Sequence, residues 1–378
     1  MYYRGDFIVR KKNVKNSPRI LSLFSGCGGL DLGFHMEGYK TVWANDISNW
    51  AVQSFAKYFG DVIVKKDIDL IDPFSDKNIP ECDIILGGFP CQDFSVIWKQ
   101  PGLNGERGNL YKHFLKFVAA KKPKAFVAEN VKGILSANNK KAIETIIEDF
   151  ESINPGYIIK VQLYNFAEYG VAQFRERVLI VGVRKDTGFE FFHPAPTHGP
   201  RGKLPYVTAG KALEGAEEIE FNNERINSLP KTIELLKLIP EGGNFADVPR
   251  DNPLYVKGMI SHVYRRINRS EPAKTIIAAG GGGTWGYHYP EPRALTNRER
   301  ARLQSFPDDF EFIGTTTEVR RQIGNAVPPV GVTAVARALL PLFTGEYTPV
   351  DLNELSEKLK KLTLKERLEY DRKNNLGV

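Results

Sequence analysis

The sequence predicts an α/β protein in which an open sheet with parallel strands is completed by a second, smaller domain. From Arg19 to Arg184, apolar runs of strand length alternate with segments of helical period, which is the order of βαβ units. Past Arg184 this alternation stops, and the chain is rich in Pro and Gly until regular patterns resume near Thr296. We therefore predict a main domain over 1–185, a second domain over 186–290, a return segment over 291–346 that completes the main domain, and a helical tail over 347–378.

Composition and charge are those of a globular protein with a sizeable core. The chain has 378 residues, 42% of them hydrophobic, and a net charge of +7. This positive excess favours a polyanionic partner such as nucleic acid, although a mildly basic protein without such a partner has the same composition. Three cysteines give neither a disulfide framework nor a CxxC metal pair, so we expect a reducing cytoplasmic setting and no metal. The segment Met1–Ser17 is polar and basic without the apolar core of a signal peptide, and no run approaches about 18 consecutive apolar residues. We therefore expect neither a signal leader nor a membrane span.

The first predicted strand, Arg19–Phe24, runs into the glycine-rich turn Ser25-Gly26-Cys27-Gly28-Gly29 and then into a helix. A strand, a glycine turn and a helix start bring backbone N–H groups close to a nucleotide-like ligand. The spacing is not GxGxxG, so an adenosine ligand other than a dinucleotide is favoured. A tight turn without any ligand is the alternative interpretation.

Acidic residues end the next two predicted strands. Asp46 follows Lys40–Asn45 and is suited to hold ribose hydroxyls, or to cap the predicted helix Asn49–Tyr58. Asp67 ends the strand predicted over Asp61–Asp67 and is suited to accept a hydrogen bond from an adenine amine, or to form a local turn. Both carboxylates are therefore candidates for a cofactor site.

A single thiol follows the buried strand predicted over Cys82–Leu86. Gly87 and Gly88 allow a tight turn or a close approach, and Pro90 stiffens the loop directly before Cys91. Cys91 is thus expected at the carboxyl end of a strand, where open α/β sheets bind their ligands. The alternative is a small cysteine that only packs in the core. We interpret the Gly-rich, charged segment Gln100–Asn109 as a lid over the site.

Glu129 is predicted at the same edge of the sheet as Cys91. It follows a helix over Leu110–Ala120 and a strand over Pro123–Ala128. A helix cap for the segment from Lys132 onward is the alternative, but Glu is a poor cap residue. The position therefore favours a functional carboxylate.

Two arginines, Arg175 and Arg177, alternate in an extended segment between strands predicted over Tyr157–Tyr164 and Val178–Val183. Alternate residues of a strand share a face. The two guanidinium groups are therefore expected to point the same way, toward either solvent or an anionic or carbonyl-bearing substrate.

The second domain is predicted to consist of short strands and loops. Its basic and aromatic side chains, among them Arg265 and Arg266, are suited to reach base edges or phosphates, although an ordinary irregular subdomain has a similar composition. Beyond it, Thr296 and Glu299 form a capping box for a helix over Thr296–Ser305. The tail, Asp351–Lys373, is predicted as a helix that docks on the body through leucines at helical spacing.

The chain resembles the DNA (cytosine-5) methyltransferase family of bacterial restriction-modification type. The resemblance rests on motifs in the family's order: Phe24-Ser25-Gly26-Cys27-Gly28-Gly29-Leu30, Pro90-Cys91-Gln92, Glu129-Asn130-Val131, Gln173-Phe174-Arg175-Glu176-Arg177, Arg302-Leu303-Gln304-Ser305-Phe306-Pro307 and Gly324-Asn325-Ala326-Val327-Pro328-Pro329. It implies a Rossmann-like S-adenosylmethionine-dependent methyltransferase sheet with a small target-recognition domain.

The resemblance also implies a mechanism on a cytosine flipped out of double-stranded DNA. The Cys91 thiolate adds to C6 of the base, Glu129 binds N3 and the exocyclic amine, and Arg177 holds O2. Arg175 supports the loop or a phosphate. A base then removes the C5 proton, and Cys91 leaves.

By the same resemblance, S-adenosyl-L-methionine is bound by Phe24, Ser25, Gly26, Gly28, Gly29, Leu30, Asp46, Ile47, Asp67, Ile68, Pro90, Leu110, Asn325 and Ala326. Ile47 and Leu110 are implied to sandwich the adenine, and relatives often have Trp at the position of Ile47. The predicted DNA contacts are Gln92, Ser95, Arg107, Gln173, Arg265, Arg266, Gly281 and Gly282. We expect a monomer and, as a partner, a restriction endonuclease that acts on the same site.

Other functions remain open on the sequence alone. A cytosine-5 methyltransferase of tRNA would share the scaffold, and the second domain of about 100 residues is the feature that favours duplex DNA. A non-catalytic DNA-binding protein has no chemical reason to keep Cys91, Glu129 and Arg177 together. A nicotinamide dehydrogenase does not fit, because the glycine turn lacks the dinucleotide spacing.

Overall fold

The computed structural model describes residues 16–89, 110–258, 263–278 and 285–374. Several predicted site residues lie outside the described residues, as does the predicted lid: Pro90, Cys91, Gln92, Ser95, Arg107, Gly281 and Gly282. The described residues form two compact units. The sheet unit comprises 16–89, 110–165, 176–196 and 332–374, and the second unit comprises 166–175, 197–258, 263–278 and 285–331. The functional division predicted at 185 and 290 stays a prediction.

The sheet unit is built on seven strands, and the predicted α/β class is confirmed. They are β1 (Arg19–Leu23), β2 (Lys40–Asp46), β3 (Ile63–Lys65), β4 (Ile84–Gly87), β5 (Ala125–Val131), β6 (Tyr157–Asn165) and β7 (Glu176–Arg184). Their order in the sheet is β3-β2-β1-β4-β5-β7-β6. Strands β1 to β5 pair in parallel, whereas β7 runs antiparallel between β5 and β6.

Eleven helices are found in the described parts of the chain. They are α1 (Gly29–Met36), α2 (Asn49–Phe59), α3 (Leu110–Lys121), α4 (Lys141–Ser152), α5 (Ala209–Leu213), α6 (Pro230–Lys237), α7 (Asn297–Leu303), α8 (Thr316–Asn325), α9 (Pro329–Thr344), α10 (Leu352–Lys360) and α11 (Leu364–Lys373). By length and composition the stretch Thr316–Thr344 is able to cross a membrane, but 56% of its most apolar window is buried in the fold. The core helix of a soluble protein passes the same test.

Helical spacing of apolar residues explains how α4 covers the sheet. Ile143, Ile146, Ile147 and Phe150 recur at the i, i+3, i+4, i+7 positions of one face and are all buried. The Phe150 ring packs on that of Phe126 in β5, with centroids 4.4 Å apart. Burying this face stabilises the sheet by roughly 1.5–3 kcal/mol per large apolar side chain.

The central strands place one edge of the sheet where a site can form. Strand β4 is fully buried, as expected of a parallel strand covered on both faces. In register, Leu23 of β1 lies beside Asn45 of β2 and Gly87 of β4, and Gly87 lies beside Ala128 of β5. The carboxyl ends of these strands therefore share one edge.

The second unit contains little regular sheet, as predicted. Strands β8 (Arg265–Arg266) and β9 (Trp285–Tyr287) pair with each other. Its core includes Leu236, Ile239 and Phe245. At α7 the predicted capping box is confirmed, because the Thr296 hydroxyl accepts from the Glu299 N–H at 3.1 Å and the Glu299 carboxylate accepts from the Thr296 N–H at 2.8 Å.

The tail forms two helices, α10 and α11, instead of the single helix predicted. Thr363 is extended and caps α11 in a capping box with Glu366, which ends one helix and starts the next. Leu352 and Leu359 pack on Ile158 of β6. The predicted docking of the tail on the body is therefore confirmed.

Candidate active site

Glu129 and Arg177 meet at the carboxyl edge of the sheet. Strand β5 ends here and the antiparallel β7 begins here, with Glu129 beside Leu179 and Val131 beside Arg177. Glu129 and Arg177 are thus diagonal neighbours on one face. Arg177 Nε lies 2.9 Å from Glu129 Oε1, and the two side chains are only 16% and 13% exposed. This ion pair is partly shielded from water.

Glu129 does not serve as a helix cap. It lies inside β5, and the short helical turn that follows, Lys132–Leu135, has Val131 at its cap position with no side-chain hydrogen bond. The alternative interpretation as a cap is therefore wrong. Strand β5 instead places the Glu129 carboxylate at the edge of the sheet, beside Arg177.

The backbone after β4 passes close to this carboxylate. A Cβ at Gly88 would lie 3.1 Å from Glu129 Oε2, and a Cβ at Gly87 would lie 2.7 Å from the main-chain oxygen of Leu23. The glycines are therefore required for close approach, one of the two roles predicted for them. The segment that leads to Cys91 starts beside Glu129.

Asn130 ties that segment to β5. Its Nδ2 donates to the main-chain oxygen of Phe89 at 3.0 Å, and its Oδ1 accepts from the N–H of Val131 at 2.8 Å. Sequence reasoning quoted Asn130 within a motif but gave it no role. The signal in the sequence was its place directly after Glu129, the predicted functional carboxylate.

The glycine turn after β1 is held by Asp46. The carboxylate accepts from the N–H groups of Gly26 and Ser48, each at 2.8 Å. Burial raises the pKa of Asp46, and these two hydrogen bonds oppose the rise. Ser48, not Asp46, caps α2. Ile47 beside it is 65% exposed, so an apolar surface is available next to the carboxylate.

The turn itself has left-handed backbone at Phe24, Gly26 and Gly28, with φ of 52°, 55° and 91°. No atom lies within 4 Å of a Cβ built at Gly26, whereas one built at Gly28 would collide with the rings of Phe59 and Phe55. Gly28 is therefore required by the packing of α2, and Gly26 faces open space. The Ser25 hydroxyl donates to the main-chain oxygen of Asn45 at 3.2 Å. Gly29 and Leu30, the other predicted residues of the turn, are buried in α1.

The two described cysteines are unsuited to nucleophilic chemistry. Burial raises the pKa of the Cys27 and Cys82 thiols to about 12. Such thiols stay protonated near neutral pH, and the thiolate is the nucleophile. Neither one competes with Cys91 for the predicted role.

At the end of β3, Asp67 forms a local turn. Its Oδ1 accepts from the N–H of Asp69 at 3.1 Å, which is the alternative that the sequence left open. Ile68 is buried in the core, against which Phe24 and Leu110 pack at half-buried positions. An additional contact between Asp67 and an adenine stays a prediction.

Gln173 and Arg175 brace the second unit from within. Arg175 is 1% exposed and donates to the main-chain oxygens of Ile276 at 3.0 Å and Gly324 at 2.8 Å. Gln173 is fully buried, and its Oε1 accepts from the N–H of Ile276 at 2.7 Å. Because Gln173 does not reach the surface, its predicted DNA contact is corrected to a positioning role. The contacts of Arg175 are of the supporting kind that the resemblance implied as one alternative, and its burial argues against the other alternative, a phosphate contact.

Other predicted residues of the second unit lie at its helix end and its short sheet. Asn325 is exposed at the last residue of α8, and Ala326 caps that helix. Arg266 is committed to main-chain oxygens, including that of Ile239 at 2.7 Å. The predicted DNA contact of Arg266 is therefore corrected as well. Arg265 precedes it and lines a small cavity.

The Glu129–Arg177 pair presents a hydrogen-bond acceptor beside a donor fork. Such a pair is suited to bind the polar edge of a planar heterocycle that carries both donors and acceptors. The adjoining backbone brings the chain to Cys91 within three residues of Gly88. Acid-base and nucleophilic chemistry on a ring is therefore possible at this edge.

Comparisons with known proteins agree with this chemistry. Residues 18–340 match the family described as C-5 cytosine-specific DNA methylase. The chain is 68% identical over 356 residues to the Type II methyltransferase M.NgoFVII of Neisseria gonorrhoeae, covering 93% of this chain and 94% of that protein. It is 31% identical to the DNA (cytosine-5-)-methyltransferase M.ApeKI of Aeropyrum pernix, covering 84% and 97%. A solved putative DNA modification methyltransferase encoded within a prophage of E. coli shares the fold, with a TM-score of 0.66 over 87% of this chain and 100% of that chain at 23% identity.

Proposed function

This chain belongs to the C-5 cytosine-specific DNA methylases, and we propose that Glu129, Arg177 and Cys91 form its catalytic centre. The protein is a DNA (cytosine-5-)-methyltransferase of restriction-modification type, which methylates C5 of cytosine in a specific sequence. The observation that supports the proposed centre is the 2.9 Å contact between Arg177 Nε and Glu129 Oε1 beside the backbone that leads to Cys91.

Each residue of the centre has a task that cytosine chemistry requires. C5 is a poor nucleophile until a thiolate adds to C6, because this addition turns the ring into an enamine. The Cys91 thiolate forms the bond to C6 while Glu129 gives a proton to N3 and Arg177 donates to O2. C5 of the resulting enamine is then nucleophilic enough to take the methyl group that bound S-adenosylmethionine would supply, with the donor sulfur leaving as a neutral thioether. A base removes the C5 proton, the ring electrons expel the Cys91 thiolate, and N3 returns its proton to Glu129. The target carbon is inside the duplex stack, so the cytosine has to be flipped out.

The methyl donor fits the glycine turn. S-adenosylmethionine supplies an electrophilic methyl group on its sulfonium. We assign Asp46 to the ribose hydroxyls and the exposed side chain of Ile47 to the adenine face. Gly26 supports this assignment, because the space where a Cβ would stand is open and its N–H is fixed on Asp46 at 2.8 Å.

We also propose the biological setting from the Type II names of the relatives. The enzyme acts on the chromosome in the bacterial cytoplasm and protects sites that a cognate restriction endonuclease cuts. A monomer suffices for this role, since one active site methylates one strand at a time.

The function is tested by transfer of labelled methyl groups from S-adenosylmethionine to unmethylated genomic DNA and, in parallel, to bulk tRNA. Bisulfite sequencing of the DNA is expected to place the label at one cytosine of a short recurring motif. Label in tRNA alone would move the substrate to RNA. DNA binding without label in either substrate would favour a non-catalytic DNA-binding protein.

A further inference from the structure

Neighbouring arginines on the short sheet of the second unit have opposite environments. The Arg266 guanidinium donates to main-chain oxygens of Ile239 at 2.7 Å, Leu236 at 3.3 Å and His288 at 3.3 Å. Arg269, four residues beyond Arg265, is paired with Glu241 at 3.0 Å. Both groups are therefore occupied by acceptors of the protein itself.

Arg265 has no such acceptor among the residues that the structure describes. Its Nε is buried without a hydrogen-bond partner, and neither terminal nitrogen has a described acceptor. An arginine carries five donors in a rigid fork, and a buried donor without a partner is costly. Among the described residues, therefore, the buried Nε donor of Arg265 is satisfied only when an acceptor from outside reaches it.

The size of the cavity beside Arg265 limits which molecules can supply the acceptor. It lines a cavity of about 60 Å³ together with Asn268, Glu271, Lys274 and Thr275. This space is far too small for a nucleoside, because small-molecule sites occupy roughly 300–1,000 Å³. The acceptor therefore belongs to a larger partner, and DNA, on which this enzyme acts, presents such acceptors on the base edges of its major groove.

We propose that Arg265 reads a guanine of the recognised sequence by donating to its O6 and N7. This inference rests on the proposed function and adds a residue that determines sequence specificity. The planar fork matches the two guanine acceptors, whereas a lysine presents only a point charge. The bidentate contact is the commonest specific contact of arginine with DNA.

The first test compares the methylation motifs of wild type, Arg265→Lys and the control Arg269→Lys on unmethylated genomic DNA. Arg265→Lys is expected to relax one position of the motif, with discrimination against wrong bases lowered roughly 5- to 150-fold at that position. Arg269→Lys is expected to keep the wild-type motif. An unchanged motif with uniformly weaker methylation in Arg265→Lys would indicate a phosphate contact and overturn the proposal.

A second measurement takes its decisive readout from the wild-type protein. Wild-type binding is measured on duplexes that carry 7-deazaguanine at each guanine of the motif in turn, which removes the N7 acceptor. One position is expected to weaken binding for wild type and for Arg269→Lys but not for Arg265→Lys. No sensitive guanine in the wild-type protein would overturn the proposal. If wild type methylates no DNA at all, the proposed function fails instead, which keeps the two failures distinct.

Discussion

Asn130 donates a 3.0 Å hydrogen bond from Nδ2 to the main-chain oxygen of Phe89, and so fixes the end of the β4 segment against the strand that carries Glu129. Asn130 is 2% exposed, so water does not replace this bond easily. The Asn130 Oδ1 is itself held by the N–H of Val131. The amide therefore sets the spacing between the proposed carboxylate and the backbone before Cys91.

Replacing Asn130 with Asp is expected to lower kcat roughly 10- to 100-fold, because the donor to the Phe89 oxygen is lost and two acceptors then face each other. DNA affinity is expected to change little. Single-turnover methylation and DNA-binding titrations measure the two quantities. The exposed Asn374 provides a control as Asn374→Asp. An unchanged single-turnover rate in Asn130→Asp would contradict the positioning role.

Gly88→Ala tests whether the close approach at Glu129 matters. The added methyl group would lie 3.1 Å from Glu129 Oε2, so the carboxylate must move. We expect kcat to fall roughly 10- to 100-fold through misplacement of the carboxylate. Gly133→Ala is the matched control, since its Cβ would meet only Val131 Cγ2 at 4.0 Å. Equal kcat in the two variants would show that the carboxylate position is not critical.

Glu129→Gln tests the carboxylate itself. Glutamine keeps the size of the side chain but cannot take or give the proton that N3 requires, so a loss of roughly 10²- to 10⁴-fold in kcat is expected. Binding of DNA is expected to survive. Steady-state methylation gives the rate, and thermal unfolding checks the fold. A rate within twofold of wild type would exclude Glu129 from the chemistry.

Most residues at the carboxyl edge of the sheet were predictable, because strand order alone determines which strand ends lie together. Apolar strands marked β1, β2, β4 and β5, and parallel strands bring Asp46 and Glu129 to one edge. The partners of arginines were not predictable. Arg298 looks like a surface residue in sequence, yet it is buried and donates to the main-chain oxygens of Phe310 at 2.8 Å and Phe221 at 3.0 Å.

The same limit applies to the two arginines of β8 and to Arg175. All three residues are arginines, so the sequence does not distinguish them. Only the tertiary surroundings decide whether a guanidinium donates to main-chain oxygens or has no described acceptor. The break in the tail is different, because Thr363 and Glu366 show the spacing of a capping box. The capping-box spacing was present in the sequence, but the helical spacing of the leucines continued across it and predicted one helix.

Lys160 and Asp371 form a buried ion pair between β6 and the tail. Their charged atoms lie 2.9 Å apart, with 2% and 4% side-chain exposure. Removing one charge leaves the other buried, so Lys160→Met is expected to lower the free energy of unfolding by about 3–5 kcal/mol. The double variant Lys160→Met with Asp371→Leu is expected to recover most of this loss. Urea unfolding measures both, and a double variant no more stable than the single one would contradict the explanation.

Asp31 is expected to make stability depend on pH. It is fully buried, and desolvation raises its pKa from 3.8 to about 6 although the hydroxyls of Ser22 and Thr41 donate to it. The folded state therefore binds a proton more tightly than the unfolded state. The contribution of Asp31 to the free energy of unfolding is therefore greatest below about pH 4. It decreases as the pH rises from about 4 to about 6 and is lost above that range.

This rise in pKa corresponds to about 3 kcal/mol. At pH 7.5, Asp31→Asn is expected to regain part of that free energy of unfolding, because no buried charge remains. Unfolding at pH 5 and pH 7.5 measures the slope, with the exposed Asp61→Asn as control. The slope is expected to shrink in Asp31→Asn and to remain in Asp61→Asn. Parallel pH profiles for all three proteins would show that Asp31 is not the titrating group.

Asp46→Ala is expected to raise the KM for S-adenosylmethionine more than it lowers kcat. The variant loses the proposed acceptor for the ribose and also frees the N–H groups of Gly26 and Ser48, which are held at 2.8 Å. Asp46→Asn separates the two effects, because its remaining carbonyl oxygen can hold one N–H while the charge is lost. Initial rates at varied S-adenosylmethionine, with saturating DNA, give the split between KM and kcat. If Asp46→Ala lowers kcat alone, the carboxylate acts on the geometry of the turn and not on the affinity for the methyl donor.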